Sequence, residues 1–294
     1  MRCAIQKDRE KYKEMLIFSG WNMLGVAASV AKNSGAALAI NSFFGTALNA
    51  SYSIANQVGT LIQVFSMSLG QATIPQVTKS YSGGDTDRTV NLTIYLSKYI
   101  FFLMMIPALP ILLETEFILS LWLGDLPPYA ATFTRLIIIN ALIHHLGGVD
   151  AIASAVGRIK YFQIVLSAFS ILSIPVSVVL FKLGFYPPTI FSIFIISSLI
   201  NLVFSLLLLK KIISFNIIHY LNVVHKRIFY VLLLVGWLFF AKEYFEEGWI
   251  RYVMVMSSSL IILGISIYLV GLEQRERVVA ASFYREFLLK LSDR

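Results

Sequence analysis

Asn49, Ser53, Asn56, Thr60 and Gln63 recur at spacings of four, three, four and three residues. That rhythm places amides and hydroxyls along one face of a helix. Gln57 sits at the edge of the stripe and Gln71 further down, while just upstream Asn22, Ser29 and Asn33 share another face with Lys32 beside it. Polar stripes are costly against lipid, so they face a bundle interior or a watery cavity, or they bond helices to one another. A single Asn or Ser reads as glue between helices. The stripe as a whole reads as a hydrated pathway.

Ionisable groups within apolar stretches are few: Lys32, Lys98, Arg135, His144, His145 and Asp150. A lone charge at the middle of a bilayer costs about 2.5–3.5 kcal/mol or more, so it demands a partner, water or a function. Lys32 with Asp150 forms either a structural ion pair or part of a cationic cavity that attracts an anion. Lys98 lies near one end of its stretch and is expected to snorkel. His144 and His145 titrate near neutrality in an ordinary setting, which makes them candidates for coupling a proton flux or else bundle fillers. Being adjacent, they are expected on different helix faces and do not make an i, i+4 metal pair.

Covalent chemistry finds little support. The chain has no H-E-x-x-H, no G-x-x-x-x-G-K-S/T and no C-x-x-C pattern. No catalytic residue, metal or cofactor is assigned, and a non-enzyme is expected. The outer loop expected to be longest, about Glu114 to Pro128, is short for a membrane enzyme such as a polymerase or acyltransferase.

The elements that hold these residues follow from composition. Of 294 residues, 57% are apolar and 14% charged, and the mean hydropathy is +0.76. Soluble domains hold roughly 45–50% and about 25%. The expected class is an all-α polytopic membrane protein. At roughly 33–36 residues per span and loop, the length holds about eight transmembrane helices. They are read at about 14–45, 47–79, 90–113, 129–156, 161–183, 189–209, 228–241 and 252–272, with Pro75 interrupting the second and Pro107 and Pro110 bending or breaking the third. Grouped by composition, residues 1–14 form a charged leader and 15–211 a six-helix bundle. Residues 212–227 form an amphipathic connector, 228–272 two further spans, and 273–294 an amphipathic tail in which Val279, Phe283, Phe287 and Leu291 repeat every four residues.

In a soluble protein the net charge of +8 would raise nucleic-acid binding, but here it reads as topology. With both termini cytoplasmic, 18 Lys and Arg residues fall in the inner loops and tails, and only Lys182, Lys242 and Arg251 in the outer loops. The single Cys3 excludes an internal disulfide.

Several short runs, in order, resemble the Wzx-type polysaccharide flippases of the multidrug/oligosaccharidyl-lipid/polysaccharide exporter superfamily. They include Phe18-Ser19-Gly20-Trp21-Asn22, Phe43-Phe44-Gly45, Asn49-Ala50 and Ala55-Asn56-Gln57-Val58. Pro75-Gln76-Val77-Thr78-Lys79-Ser80-Tyr81, Leu121-Trp122-Leu123-Gly124, Gly157-Arg158-Ile159-Lys160 and Ile174-Pro175 continue the match. The resemblance covers roughly residues 13–210 and begins at what looks like the seventh span of longer relatives. It implies an exporter-type bundle plus two extra C-terminal helices, in the bacterial inner membrane. The implied role is movement of undecaprenyl-pyrophosphate-linked oligosaccharide, O-antigen or capsule units, across that membrane. It implies a substrate cavity formed by Lys32, Asn33, Asn49, Asn56, Gln57, Thr60, Gln63 and Arg135, with His144, His145 and Asp150 available for ion coupling. The expected partners are that lipid-linked oligosaccharide, membrane lipids, and a first bundle or a second copy. A truncated or half-length flippase is the leading expectation. A multidrug exporter of the same superfamily and a non-functional remnant are the alternatives. A cation-coupled drug exporter would favour acidic cavity residues, of which only Asp150 is available.

Overall fold

The computed structural model describes residues 9–146, 159–213, 215–246, 248–278 and 281–282. Among them the chain is helical, without a strand. α1 (Arg9–Phe44) and α2 (Thr46–Ser82) are joined at Gly45, whose φ of 85° is a left-handed conformation that glycine adopts without a Cβ clash. A turn at Gly83-Gly84 leads into α3 (Thr86–Leu113), where the Asp85 side chain accepts a hydrogen bond from the Arg88 N–H and caps the helix. α4 (Thr115–Leu123) occupies much of the stretch expected to be loop, and α5 (Ala130–His145) follows. α6 (Ile159–Lys182) and α7 (Thr189–Ile213) complete the larger group. α8 (Ile217–Tyr244) and α9 (Trp249–Gly271) are the last two long helical runs.

Six of these helices are long and apolar enough to cross a membrane: α1 from Met15, α3, α6 from Lys160, α7 to Lys211, α8 and α9. The protein is an all-α polytopic membrane protein. The expectation from length was about eight spans, and the difference lies in α2 and α5. At 1.5 Å per residue the 37 residues of α2 reach about 55 Å, ample to cross, but its polar stripe keeps its hydropathy low. α5 has only 16 described residues, and the rest of the span expected there falls outside the described residues.

Pro75, Pro107, Pro110 and Pro175 all lie inside continuous helices. Neither the interruption expected at Pro75 nor a break at Pro107 or Pro110 occurs; a proline removes one N–H donor from a spanning helix without ending it. Much of the amphipathic connector expected over 212–227 is helical and belongs to α8. Ile217 begins α8, which continues without interruption through Lys226.

Two apolar cores organise the helices. The larger centres on α3, the most buried span, where Met104, Met105, Leu109 and Leu113 meet Ile62 of α2, Ile138 of α5 and Val231 of α8. The smaller joins Ala36 and Ile40 of α1, Tyr52 and Ala55 of α2, Phe133 of α5, and Phe191 and Phe194 of α7. α2 packs between α3 and α5, α1 lies along α6, and α5 and α6 both pack on α7. Close approach is set by glycines: a methyl group on Gly59 would lie 2.5 Å from Ile137 Cγ2, so only glycine lets α2 and α5 pack this tightly there.

Candidate functional site

The polar faces of α1 and α2 meet α5 and α7 around a cavity of about 350 Å³. α1 contributes Ser29, Lys32 and Asn33. α2 contributes Tyr52, Asn56, Thr60 and Gln63, with Gly59 between them. Asn140, His144 and His145 come from α5, and Phe191 and Phe194 form the wall from α7. Three of the five stripe residues read from spacing, Asn56, Thr60 and Gln63, therefore form a cavity wall, and it is only partly covered. Asn33 and Thr60 are exposed, while Lys32, Asn56 and Gln63 are half-buried.

Lys32 places its ammonium 4.5 Å from the centroid of the Phe194 ring, a cation–π arrangement that offsets part of the cost of holding the charge away from bulk water. No aspartate or glutamate lines the cavity among the described residues. Tyr52 donates its hydroxyl proton to the Asn33 carbonyl at 3.2 Å and ties α1 to α2 at the rim. Asn140 Oδ1 accepts from Ser198 Oγ at 2.8 Å, which fixes its amide against α7. Thr60 and Ser53 donate to the backbone carbonyls one turn before them. Their hydroxyl protons are thus occupied; Thr60 lines the cavity, whereas Ser53 lies on the stripe beyond it.

The two histidines share the cavity, against the expectation that adjacent positions point apart. They stand about 100° apart around α5, and the wall wraps that far: His144 continues the row from Asn140, His145 the row from Ala141. Their ring centroids are 5.3 Å apart, and His145 Nδ1 lies 3.1 Å from the buried Ser66 Oγ. No group of three His, Cys, Asp or Glu side chains is placed to hold a metal among the described residues.

Three expected members lie elsewhere. Arg135 is two residues before Ile137, about 200° round the helix. It joins a separate cavity of about 220 Å³, where its Nη1 lies 3.3 Å from Glu116 Oε1 and its Nε donates to Thr115 Oγ1 at 3.2 Å. Gln57, one residue past Asn56, is turned to the exposed side of α2. Asn49 lies on the stripe beyond the cavity, its Oδ1 buried without a hydrogen-bond partner among the described residues. Asp150, and with it the expected pair to Lys32, lies outside the described residues, as does the spacing at Val279, Phe283, Phe287 and Leu291.

Asn140, Tyr52 and the phenylalanines of α7 were not singled out from sequence. The signal for Asn140 was a lone amide in the apolar run Leu136–Ile143. Phe191 and Phe194 carried none, being two of many apolar residues in their helix.

Lys98 also departs from expectation. It does not snorkel: it is fully buried in α3, with Nζ 2.6 and 2.7 Å from the two carboxylate oxygens of Glu276. Tyr99 donates to the same carboxylate at 2.6 Å and the Glu273 N–H at 2.5 Å. Burial pushes the Glu276 carboxyl up, but these donors and the ammonium charge outweigh it and hold it below the ordinary glutamate value. No family model, curated protein or solved structure gives a significant match to the chain.

Proposed function

We propose that this protein belongs to a bacterial inner-membrane transporter that moves lipid-linked oligosaccharide, such as O-antigen or capsule repeat units, with both termini in the cytoplasm. The observation that carries the reading is the cavity. It holds one lysine, two histidines and a row of amides, and no carboxylate among its described lining residues. A fixed ammonium attracts a pyrophosphate, amides and hydroxyls match the hydroxyl groups of a sugar, and a long lipid tail stays in the bilayer beside helices whose outer faces are apolar. The cationic, carboxylate-free lining among the described residues favours an anionic substrate over the cationic drugs of the multidrug alternative.

A volume of about 350 Å³ sits at the low end of small-molecule sites. It accommodates the headgroup region and not a whole repeat unit. The cavity is walled by α1, α2, α5 and α7, and its exposed polar rim fits completion by a second bundle, from another part of the assembly or a second copy. Transport then proceeds by rocking of one bundle against the other around the site.

The test is export of surface polysaccharide in a strain that depends on this protein. Lys32→Ala and Asn56→Ala are expected to lower export with the protein still present in the membrane. Normal export by both variants would remove the cavity from the transport path.

A further inference from the structure

A second basic pocket, of about 350 Å³, lies between the ends of α8 and α9, far in sequence from the cavity described above. Its cations are Lys226, Arg227 and Arg277, with Asn222 and Tyr230 beside them. Both helices depart from α geometry at this point. Leu221–His225 forms a π turn in α8 and Ile267–Gly271 another at the end of α9. Such turns widen a helix and recur at functional sites. Here Asn222 comes from the first and Leu269 and Val270 from the second.

The arginines are pre-positioned by backbone. Arg227 Nη1 donates to the Val270 carbonyl at 3.1 Å and the Leu272 carbonyl at 3.0 Å, and its Nη2 lies 3.5 Å from Glu273 Oε1. Arg277 donates from Nε to the Leu272 carbonyl at 3.3 Å and from Nη2 to the Leu269 carbonyl. The carboxylate of Glu273 and the negative end of the α9 dipole offset part of this charge, but three cations exceed them. Lys226 is exposed and adds its charge at the mouth. A guanidinium has five N–H donors, so both arginines keep donors beyond those given to carbonyls.

Just beyond the pocket the surface becomes apolar on both helices. Tyr230 is followed one turn on by Leu233, 60% exposed, and Leu269 is preceded one turn back by Ile265, 52% exposed. The charges thus sit at the junction of a polar helix end with two exposed apolar faces. We infer that this pocket is a binding site for the phosphate of an anionic phospholipid, whose acyl chains lie along the exposed faces of α8 and α9. Basic pockets between spanning helices are suited to such headgroups. A free phosphate has the same affinity for the cations but gains nothing from the apolar faces.

The experiment is native mass spectrometry of the full chain in mild detergent, with phosphatidylglycerol or phosphatidylcholine added. The expected result is retention of one phosphatidylglycerol at concentrations where phosphatidylcholine is lost. Lys226→Gln should weaken that retention about fivefold, the effect of one basic residue near anionic headgroups. Lys210→Gln with Lys211→Gln, exposed cations at the end of α7 outside the pocket, should leave it unchanged. The inference is overturned by equal retention of both lipids. It is also overturned by equal weakening in the α7 control, which would mean diffuse surface attraction. Displacement by glycerol 3-phosphate as effective as by phosphatidylglycerol would show a free-phosphate site and overturn it too.

Discussion

Lys98 and Glu276 stand 178 positions apart in sequence and meet at 2.6 Å, the lysine wholly buried and the glutamate side chain 10% exposed. The pair joins the most buried helix of the large core to the segment that follows α9. Tyr95 and Tyr99 flank the ammonium at 5.3 and 5.5 Å from their ring centroids. The contact therefore couples the two last helices to the bundle that carries the cavity.

Removing one member of such a pair strands a buried charge, at a cost of about 3–5 kcal/mol, whereas replacing both with apolar groups of similar size is often neutral. Lys98→Met is expected to lower the thermal midpoint in detergent sharply. Lys98→Met with Glu276→Leu should recover most of the loss. If the single variant is as stable as the parent, the pair does not anchor the C-terminal segment.

The same carboxylate sets a pH dependence. Its folded-state value is depressed below the ordinary 4.5, so its contribution to stability is complete above that value and is lost as the pH falls through the lower folded value. Docking of the segment after α9 should persist at pH 5 and loosen only in more acidic solution. Hydrogen exchange of residues 274–278 measured across that range checks this, and Glu276→Gln should abolish the dependence.

At Gly59 the prediction concerns shape. A Cβ there meets Ile137 at 2.5 Å, so Gly59→Val forces α2 and α5 apart beside the cavity. Overpacking of this kind costs about 1–3 kcal/mol. Adding Ile137→Ala should restore most of the thermal midpoint, since it removes the atom that the new side chain strikes. Lack of rescue would show that the strain lies elsewhere.

The part of the site legible in the sequence is the part that repeats. The stripe from Asn56 to Gln63 has helical spacing, and Lys32 stands out as a charge in an apolar run, and both line the cavity. Rotation about a neighbouring helix is not encoded in that spacing. Arg135 is grouped with the cavity as a second cation inside an apolar stretch, yet a step of two residues carries it to the opposite side of α5 and into a pair with Glu116. The reading of Lys98 failed for a different reason. Snorkelling follows from a lysine near a helix end, but a carboxylate from the far end of the chain reaches it first, and no local pattern announces a contact of that sequence separation. The helical class was legible from composition, while the number of spans was not, because the polarity that makes α2 interesting also makes it a poor span by hydropathy.

That conflict in α2 has a direct experimental answer. Lys and Arg cluster ahead of Met15 and recur at Lys79 and Arg88, with none between Lys32 and Lys79; this pattern predicts that α2 crosses the membrane in spite of its amides, its stripe turned to the cavity and its other faces held by α3 and α5. In a Cys3→Ser background, single cysteines at Thr46, Ser82, Asp125 and Tyr186, all exposed positions, report the side on which each loop lies. A membrane-impermeant maleimide should label Thr46→Cys, Asp125→Cys and Tyr186→Cys in intact cells, and Ser82→Cys only after permeabilisation. Labelling of Thr46→Cys and Ser82→Cys from the same side would mean that α2 does not cross, and the polar stripe would then face solvent and line no transmembrane path. Labelling of Ser82→Cys alone in intact cells would invert the topology and place the basic loops outside, against the charge asymmetry that orients spanning helices.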